Sequence, residues 1–332
     1  MEHRHITLAH GNGGRFMREL IDELFARHLN DGQLDTRTDA AHLDLSGDLL
    51  FTTDGFTVKP LEFPGGSIGS LAVHGTVNDL AVAGAIPKVL SLNAFIEEGL
   101  EFAQLERIIA DLAGAARACG VQVVAGDTKV LPHGEGSGLY LATSGIGVRA
   151  TPGVLSLGNI RPGDVLLING SVGDHGTAVL LAREQFGLSG DLRSDAASVL
   201  PYAQALFDLP GLRFMRDPTR GGLATVAHEI ASACGLTVRL REAEIPVKDP
   251  VRGVCEMLGY DPYYLACEGR VIAVVAQDAL EDVRARWRGI EGSEVALIGT
   301  VEEGASQVIL ETVLGGERFL EELEDDPLPR IC

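Results

Sequence analysis

Forty-one glycines cut this 332-residue chain into short apolar segments that alternate between strand-like and helix-like periods. That alternation gives a mixed α/β fold class in both halves, and the length calls for two domains rather than one core. A net charge of −20 and an aromatic content of only 5% oppose nucleic-acid binding and binding to an anionic membrane. A chain this acidic still binds polyphosphates when divalent cations bridge its carboxylates to the ligand. No apolar run approaches the roughly 20 residues needed to cross a bilayer, and Met1-Glu2-His3-Arg4-His5 lacks the apolar core of a signal peptide. Five cysteines, none in a CxxC pair, read as reduced thiols in a cytoplasmic protein. Cys119 and Cys234 end apolar helical stripes and are expected in the core.

Three regions follow along the chain: residues 1–150, residues 151–314 beyond a break at Thr151-Pro152-Gly153, and a tail over 315–332. In the first, Asp48–Pro60 reads as two short strands around a turn at Asp54-Gly55, a dipeptide favoured in hairpins. Ser67–Ala85 reads as a helix whose apolar face runs through Val73, Val77, Leu80 and Ala81, leaving Asn78 and Asp79 on its polar side. Pro87–Phe95 is strand-like. Glu101–Cys119 has a helical stripe of Leu105, Ile108, Ile109 and Leu112. Val121–Ala125 is a strand that runs into Gly126-Asp127-Thr128-Lys129, and Leu139–Val148 is another. In the second region, Val165–Ile168, Val271–Val275 and Val295–Val301 are strand-like, and Leu223, Val226, Ala227, Ile230 and Ala231 form a helical stripe.

Several short patterns carry chemistry. The mobile loop His10-Gly11-Asn12-Gly13-Gly14 precedes a helix starting near Arg15. Asp54, Asp79 and Asp127 fall at element ends or on a polar helix face of one domain, with Lys59 and Lys129 nearby. Hard oxygen ligands of that kind suit Mg²⁺, which in turn holds nucleotide phosphates. Neither GxxxxGK[ST] nor a kinase motif set is present, so if ATP binds, it does so by aspartate–magnesium bridging. Asp217-Pro218-Thr219-Arg220-Gly221-Gly222 opens the Leu223 helix, with Asp217 read as its N-cap and Pro218 as its first residue. Gly173-Asp174-His175-Gly176 is a strand-to-helix turn in which His175 is either packed, capping or catalytic. Glu268, ahead of a buried-looking strand, is either a surface carboxylate or a base with a raised pKa. The chain ends Pro329-Arg330-Ile331-Cys332, a terminal thiol at the end of an 18-residue arm from Gly315. Fully extended, that arm spans roughly 60 Å. Part of it, Arg318–Glu324, has the spacing of a short helix.

These motifs occur in order over essentially the whole chain. Together with His74-Gly75-Thr76-Val77-Asn78-Asp79 and the Pro-Arg-Ile-Cys tail, they resemble the HypE family of hydrogenase maturation factors. In looser form they resemble the wider superfamily of aminoimidazole ribonucleotide synthetase, thiamine-monophosphate kinase and selenophosphate synthetase. The resemblance implies a two-domain fold whose N-terminal domains pair into a homodimer around ATP sites. It implies a carbamoyltransferase partner, HypF, that loads a carbamoyl group onto Cys332. ATP-dependent dehydration then gives a thiocyanate, whose cyanide passes to a HypC–HypD complex as a ligand for [NiFe]-hydrogenase iron. By the same resemblance, Asp54, Asp79 and Asp127 hold Mg²⁺ and phosphates, and Asn78, Thr128 and Asp217 line the ATP site. Lys129 stabilises charge at the transferred group, and Glu268 is the base. Two alternatives stay open: an ATP-dependent kinase or synthetase acting on a free small molecule, and a non-enzymatic adaptor that docks by its acidic tail.

Overall fold

The computed structural model describes residues 4–30, 32–36, 38, 40–183 and 190–323. Cys332, the end of the tail, lies outside the described residues. The chain divides into two compact units. One gathers the residues up to Leu80 with Ala85–Arg149, and the other gathers Ala81–Gly84 with the chain from Ala150 onward.

In the first unit, α1 (Arg15–Leu20) leads through a π-helical turn (Ile21–Ala26) into α2 (Arg27–Leu29). There follow β1 (Leu49–Phe56), the two-residue strands β2 (Glu62–Phe63) and β3 (Gly66–Ser67), α3 (Ile68–Val82), β4 (Ala85–Glu97), α4 (Phe102–Cys119), β5 (Gln122–Leu131) and β6 (Leu139–Arg149). Among the described residues, β1-β6-β4-β5 form one sheet. β6 runs antiparallel to both neighbours, and β4 and β5 run parallel across the α4 connection.

One face of this sheet carries α3, joined to it by the hydrogen-bonded hydroxyls of Thr76 and Thr143. α4 buries Leu105, Ile108, Ile109 and Leu112, the stripe read from the sequence, and ends at Gly120 with φ 68°. α3 is enclosed nearly all round, so Asn78 is buried rather than on a solvated side. A helix this apolar carries no period that separates an inner from an outer face. The other sheet face is open, and there Phe51 is 68% exposed, with Leu49 and Phe95 also exposed.

β1 shows no turn at Asp54-Gly55. It pairs with β6 in unbroken register from Leu49↔Val148 to Phe56↔Leu141. Similarly, Gly126-Asp127-Thr128-Lys129 lies within β5 rather than beyond its end, because the pairing with β4 continues to Leu131.

The second unit contains β7 (Val165–Ile168), α5 (Asp174–Ala182), α6 (Leu200–Gln204), β8 (Leu212–Arg216), α7 (Gly222–Cys234), β9 (Thr237–Arg241) and α8 (Asp249–Leu258). After these come β10 (Ile272–Val275), α9 (Leu280–Arg288), β11 (Ala296–Glu302), β12 (Gln307–Glu311) and β13 (Glu317–Phe319). The described strands are ordered β13-β12-β9-β11-β7-β10-β8. β7 and β10 are buried at every residue, which explains their unbroken apolar runs. α7 packs Leu223, Val226, Ala227 and Ile230 into the core. Cys234 at its end is half-buried, as is Cys119 at the end of α4, so neither is a fully buried core residue.

Asp217 and Pro218 do not start α7. The helix begins at Gly222, and Gly221 and Gly222 both hold positive φ (71° and 59°), which breaks the chain direction after Arg220.

The tail does not begin as a helix either. Glu317–Phe319 pairs antiparallel with β12, and Leu320 is 1% exposed in the core. The helical spacing was that of a short edge strand with one inward residue after it.

Candidate functional site

The first unit gathers two of the three expected aspartates. Thr52 and Asp54 point from β1 toward α3. Thr52 Oγ1 donates to Asp79 Oδ2 at 2.9 Å. Asp54 lies beside Gly75, one helical turn from Asp79, roughly 6 Å along the helix. A Cβ at Gly75 would stand 2.8 Å from the Phe56 ring and 3.7 Å from Asp54 Oδ2, so glycine is what lets β1 approach here. The Asp54 carboxylate folds back to accept its neighbour's amide, Gly55 N–H, at 2.7 Å. Asn78 is buried between these two helix positions.

Asp127 is elsewhere. The cross-strand row Gly55↔Ala142↔Asn93↔Asp127 spans the sheet from one edge to the other. Three strand spacings of about 4.8 Å separate β1 from β5, so Asp127 stands roughly 14 Å from the Asp54 position. The three aspartates therefore do not meet as one set within a chain, and no group of three His, Cys, Asp or Glu side chains placed to hold a metal ion occurs among the described residues. Asp127 and Lys129, two apart on a strand, are exposed and form an ion pair at 2.9 Å. Lys129, helped by the Thr128 amide, holds the Asp127 carboxyl below its usual range against a smaller burial effect. Thr128, between them, is buried. The glycine loop lies against this strand: Gly11 sits where a Cβ would come 2.9 Å from Val130. A cavity of about 170 Å³ adjoins Asp127 and Thr128, walled by Phe25, Leu29, Leu92 and Val123.

Two carboxylates at the β1–α3 seam fit Mg²⁺, which keeps several waters and takes one or two protein carboxylates plus substrate phosphates. Asp54 and Asp79 are the pair that would hold it; Asp127 is outside that pair within one chain.

In the second unit, two glycine-rich turns meet at Cys267-Glu268-Gly269. The Cys267 amide donates to Pro218 O at 3.0 Å, next to Asp217, which is buried. The Cys267 thiol accepts from Gly173 N–H at 3.2 Å, and Gly176 N–H donates to Ala266 O at 3.0 Å. Burial pushes the Cys267 thiol well above its ordinary pKa, so it is inert packing. Glu268 is only 3% exposed, which removes the reading of a surface carboxylate. His175 is fully buried and hydrogen-bonded through Nδ1 to Ser194 Oγ at 2.8 Å, a packed position.

Sequence reasoning passed over Asp195, Arg270 and Lys248. Asp174 Oδ2 accepts from Ser171 Oγ at 2.6 Å, Lys248 Nζ at 2.6 Å and Arg270 at 3.2 Å. Arg270 reaches Asp195 at 3.4 Å. Nothing in the local pattern around Asp195 marks it; its role depends on a contact 73 residues away.

The N-terminal domain of AIR synthase related proteins matches residues 37–149, and their C-terminal domain matches residues 161–311. A protein of Azotobacter vinelandii named carbamoyl dehydratase HypE is 46% identical, covering 98% of this chain and 97% of that one. A crystal structure of hydrogenase maturation protein HypE in complex with ATP superimposes with a TM-score of 0.93 at 43% identity, over 98% of this chain and 99% of that one. A HypE chain from a HypE–HypF complex superimposes with a TM-score of 0.80 at 40% identity, over 92% and 99%. The chain belongs to the HypE family within the AIR synthase related proteins.

Proposed function

We propose that the chain is an ATP-dependent carbamoyl dehydratase that works on its own terminal cysteine during [NiFe]-hydrogenase maturation. The observation that carries this reading is Glu268, a carboxylate buried where two glycine-rich turns meet, in a chain that aligns over 98% of its length with an ATP-bound HypE. An amide oxygen is a poor leaving group in water, and phosphorylation makes it a good one. The carbamoyl group rides on Cys332 as a thioester-like S–C(=O)NH₂. Its oxygen attacks the γ-phosphorus of ATP, a new O–P bond forms, and ADP departs. Glu268 then accepts a proton from the carbamoyl nitrogen as the C–O bond breaks. Loss of the second N–H proton completes S–C≡N and inorganic phosphate. Lys129 balances charge on the transferred group. Asn78, Thr128 and Asp217 contact the nucleotide. When bound, Mg²⁺ neutralises phosphate charge, with Asp54 and Asp79 as the residues that would hold it.

The expected role of Asp127 is kept by pairing two copies. A homodimer is supported by the open apolar sheet face bearing Phe51, Leu49 and Phe95, with Asp127 and Lys129 on β5 at its edge. Asp54 and Asp79 lie on the opposite, α3 face of the sheet, so Asp127 of a second copy serves an ATP bound there by reaching round the edge strand β1. The partners are HypF, as in the HypE–HypF complex that this chain resembles, and HypC–HypD as the acceptor of cyanide. No helix among the described residues is long and apolar enough to cross a membrane, and a cytoplasmic location accords with carriage of the group on a free thiol.

The test is calorimetry combined with turnover. MgATP binds the wild type, and Asp79→Ala weakens that binding at least tenfold. Cys332→Ser retains ATP binding and loses all dehydration. Turnover that survives Cys332→Ser assigns the chain to free-substrate synthetases instead, and a wild type that binds no ATP assigns it to adaptors.

A further inference from the structure

The residues around Glu268 do more than bury it. Asp195 accepts from two consecutive amides of that segment: Glu268 N–H on Oδ1 at 3.3 Å and Gly269 N–H on Oδ2 at 3.4 Å. The Glu268 carbonyl in turn accepts from Ala197 N–H at 3.3 Å. The peptide units on both sides of Glu268 are thus fixed to one short stretch, residues 195–197. The stretch presses directly on position 269, where a Cβ would come 1.9 Å from Asp195 O.

We propose that Asp195 is the positioning residue for Glu268, and that Arg270 and Asp174 hold Asp195 in place. The proposal rests on the reading of Glu268 as the base. Asp195 and Asp174 have fully buried side chains, and the Arg270 guanidinium lies between them. Its Nε also donates to Ser171 O at 2.8 Å, and Gly170 lies against it where a Cβ would come within 2.8 Å. Lys248 gives Asp174 a second cation. The two buried carboxylates face Arg270, which is largely buried, and Lys248, which is half-exposed, so their charge is met by two cations.

The arrangement also gives Gly173-Asp174-His175-Gly176 a purpose. Asp174 reaches the 195–197 stretch through Arg270. His175 reaches it through Ser194, whose hydroxyl also accepts from Ala196 N–H at 3.0 Å. Both polar residues of that turn support the stretch that carries Asp195.

The experiment is a double-mutant cycle on the full-length, S-carbamoylated chain, with excess MgATP and rapid quench. Asp195→Asn keeps the shape of the side chain and replaces one acceptor with a donor facing Gly269 N–H and Arg270. The single-turnover rate constant falls roughly 10- to 100-fold, as a misplaced catalytic group predicts, while ATP affinity measured by calorimetry stays within about twofold. In the Glu268→Gln background the same substitution adds less than about twofold, because it acts through a group already removed. A wild-type rate for Asp195→Asn overturns the proposal. So does an Asp195→Asn that slows Glu268→Gln as much as it slows the wild type, since support of the fold alone is additive. A Glu268→Gln chain at full rate overturns the base assignment itself, and is told apart because it needs no Asp195 variant. Where Asp195→Asn does not yield folded protein, Arg270→Lys runs the same cycle: it keeps the charge and loses the fork that joins Asp174 to Asp195.

Discussion

The root of the tail is held more firmly than its sequence suggests, and Leu320→Ala tests how firmly. Leu320 belongs to the core of the second unit. Its amide donates to Val308 O at 3.0 Å, and its carbonyl is hydrogen-bonded to His228 Nε2 at 2.7 Å. The Glu321 carbonyl accepts from Tyr264 O–H at 2.6 Å. Arg318 pairs with Asp261, and Glu317 with Arg239. Besides these, the three-residue strand β13 pairs the root with β12. Truncating a buried leucine to alanine costs about 2–5 kcal/mol, and the lower end suits a site at a sheet edge that can partly close. A loss of about 2 kcal/mol raises the open fraction of the root roughly 30-fold. Trypsin reads that fraction at Arg318 when opening and closing are fast relative to cleavage. The assay is limited proteolysis with mass detection of the fragment beginning at Phe319, under native conditions. Cleavage at Arg318 in Leu320→Ala proceeds at least tenfold faster than in wild type, with other sites unchanged. Equal rates refute the anchor. The anchor matters for function because it leaves eleven residues from 322 to 332 to carry the thiol, a reach of at most roughly 40 Å.

Three further outcomes follow from the geometry. Burial drives the His74 imidazole from 6.5 down to about 4, with Asp111 pulling weakly the other way. Between those values the unfolded chain binds the proton and the folded chain does not. Stability from this group is therefore complete above pH 6.5 and falls as pH drops toward 4, by roughly 3 kcal/mol in all; urea titrations of wild type and His74→Asn at pH 7 and 4.5 show the smaller pH loss in the variant. Phe51→Glu places a charge on the open sheet face, so under the proposed pairing sedimentation velocity shows dimer for the wild type and monomer for the variant, and ATP binding weakens with it; a wild type that sediments as a monomer contradicts the pairing. Gly269→Ala drives a Cβ into the Asp195 carbonyl, and dehydration falls at least tenfold while MgATP binding by calorimetry is retained.

Much of the fold was written in local patterns. The α4 and α7 stripes follow from helical period, and β7 and β10 from short unbroken apolar runs. Where the pattern misled, a distant partner decided. Asp54-Gly55 has turn chemistry, yet β6, some 90 residues later, pairs straight through it. Asn78 looked solvated because α3 has no polar face to compare it with. The aspartates were read as one set because they share a domain, and strand order, which no local pattern encodes, puts Asp127 on the far edge. Glu268 was legible as a choice between surface and base, and burial settled the surface half of that choice. Asp195 was not legible at all, since its partners lie at 268 to 270 and its neighbours in sequence say nothing of them.

The most direct test follows the tail itself. The full-length chain is incubated with carbamoyl phosphate, ATP and HypF, and its C-terminal peptide is weighed with time. The account predicts a gain of one carbamoyl group on Cys332, then the loss of one water from that same peptide as ATP is consumed. A peptide that never gains the group, or that keeps it unchanged through many turnovers of ATP, contradicts the account.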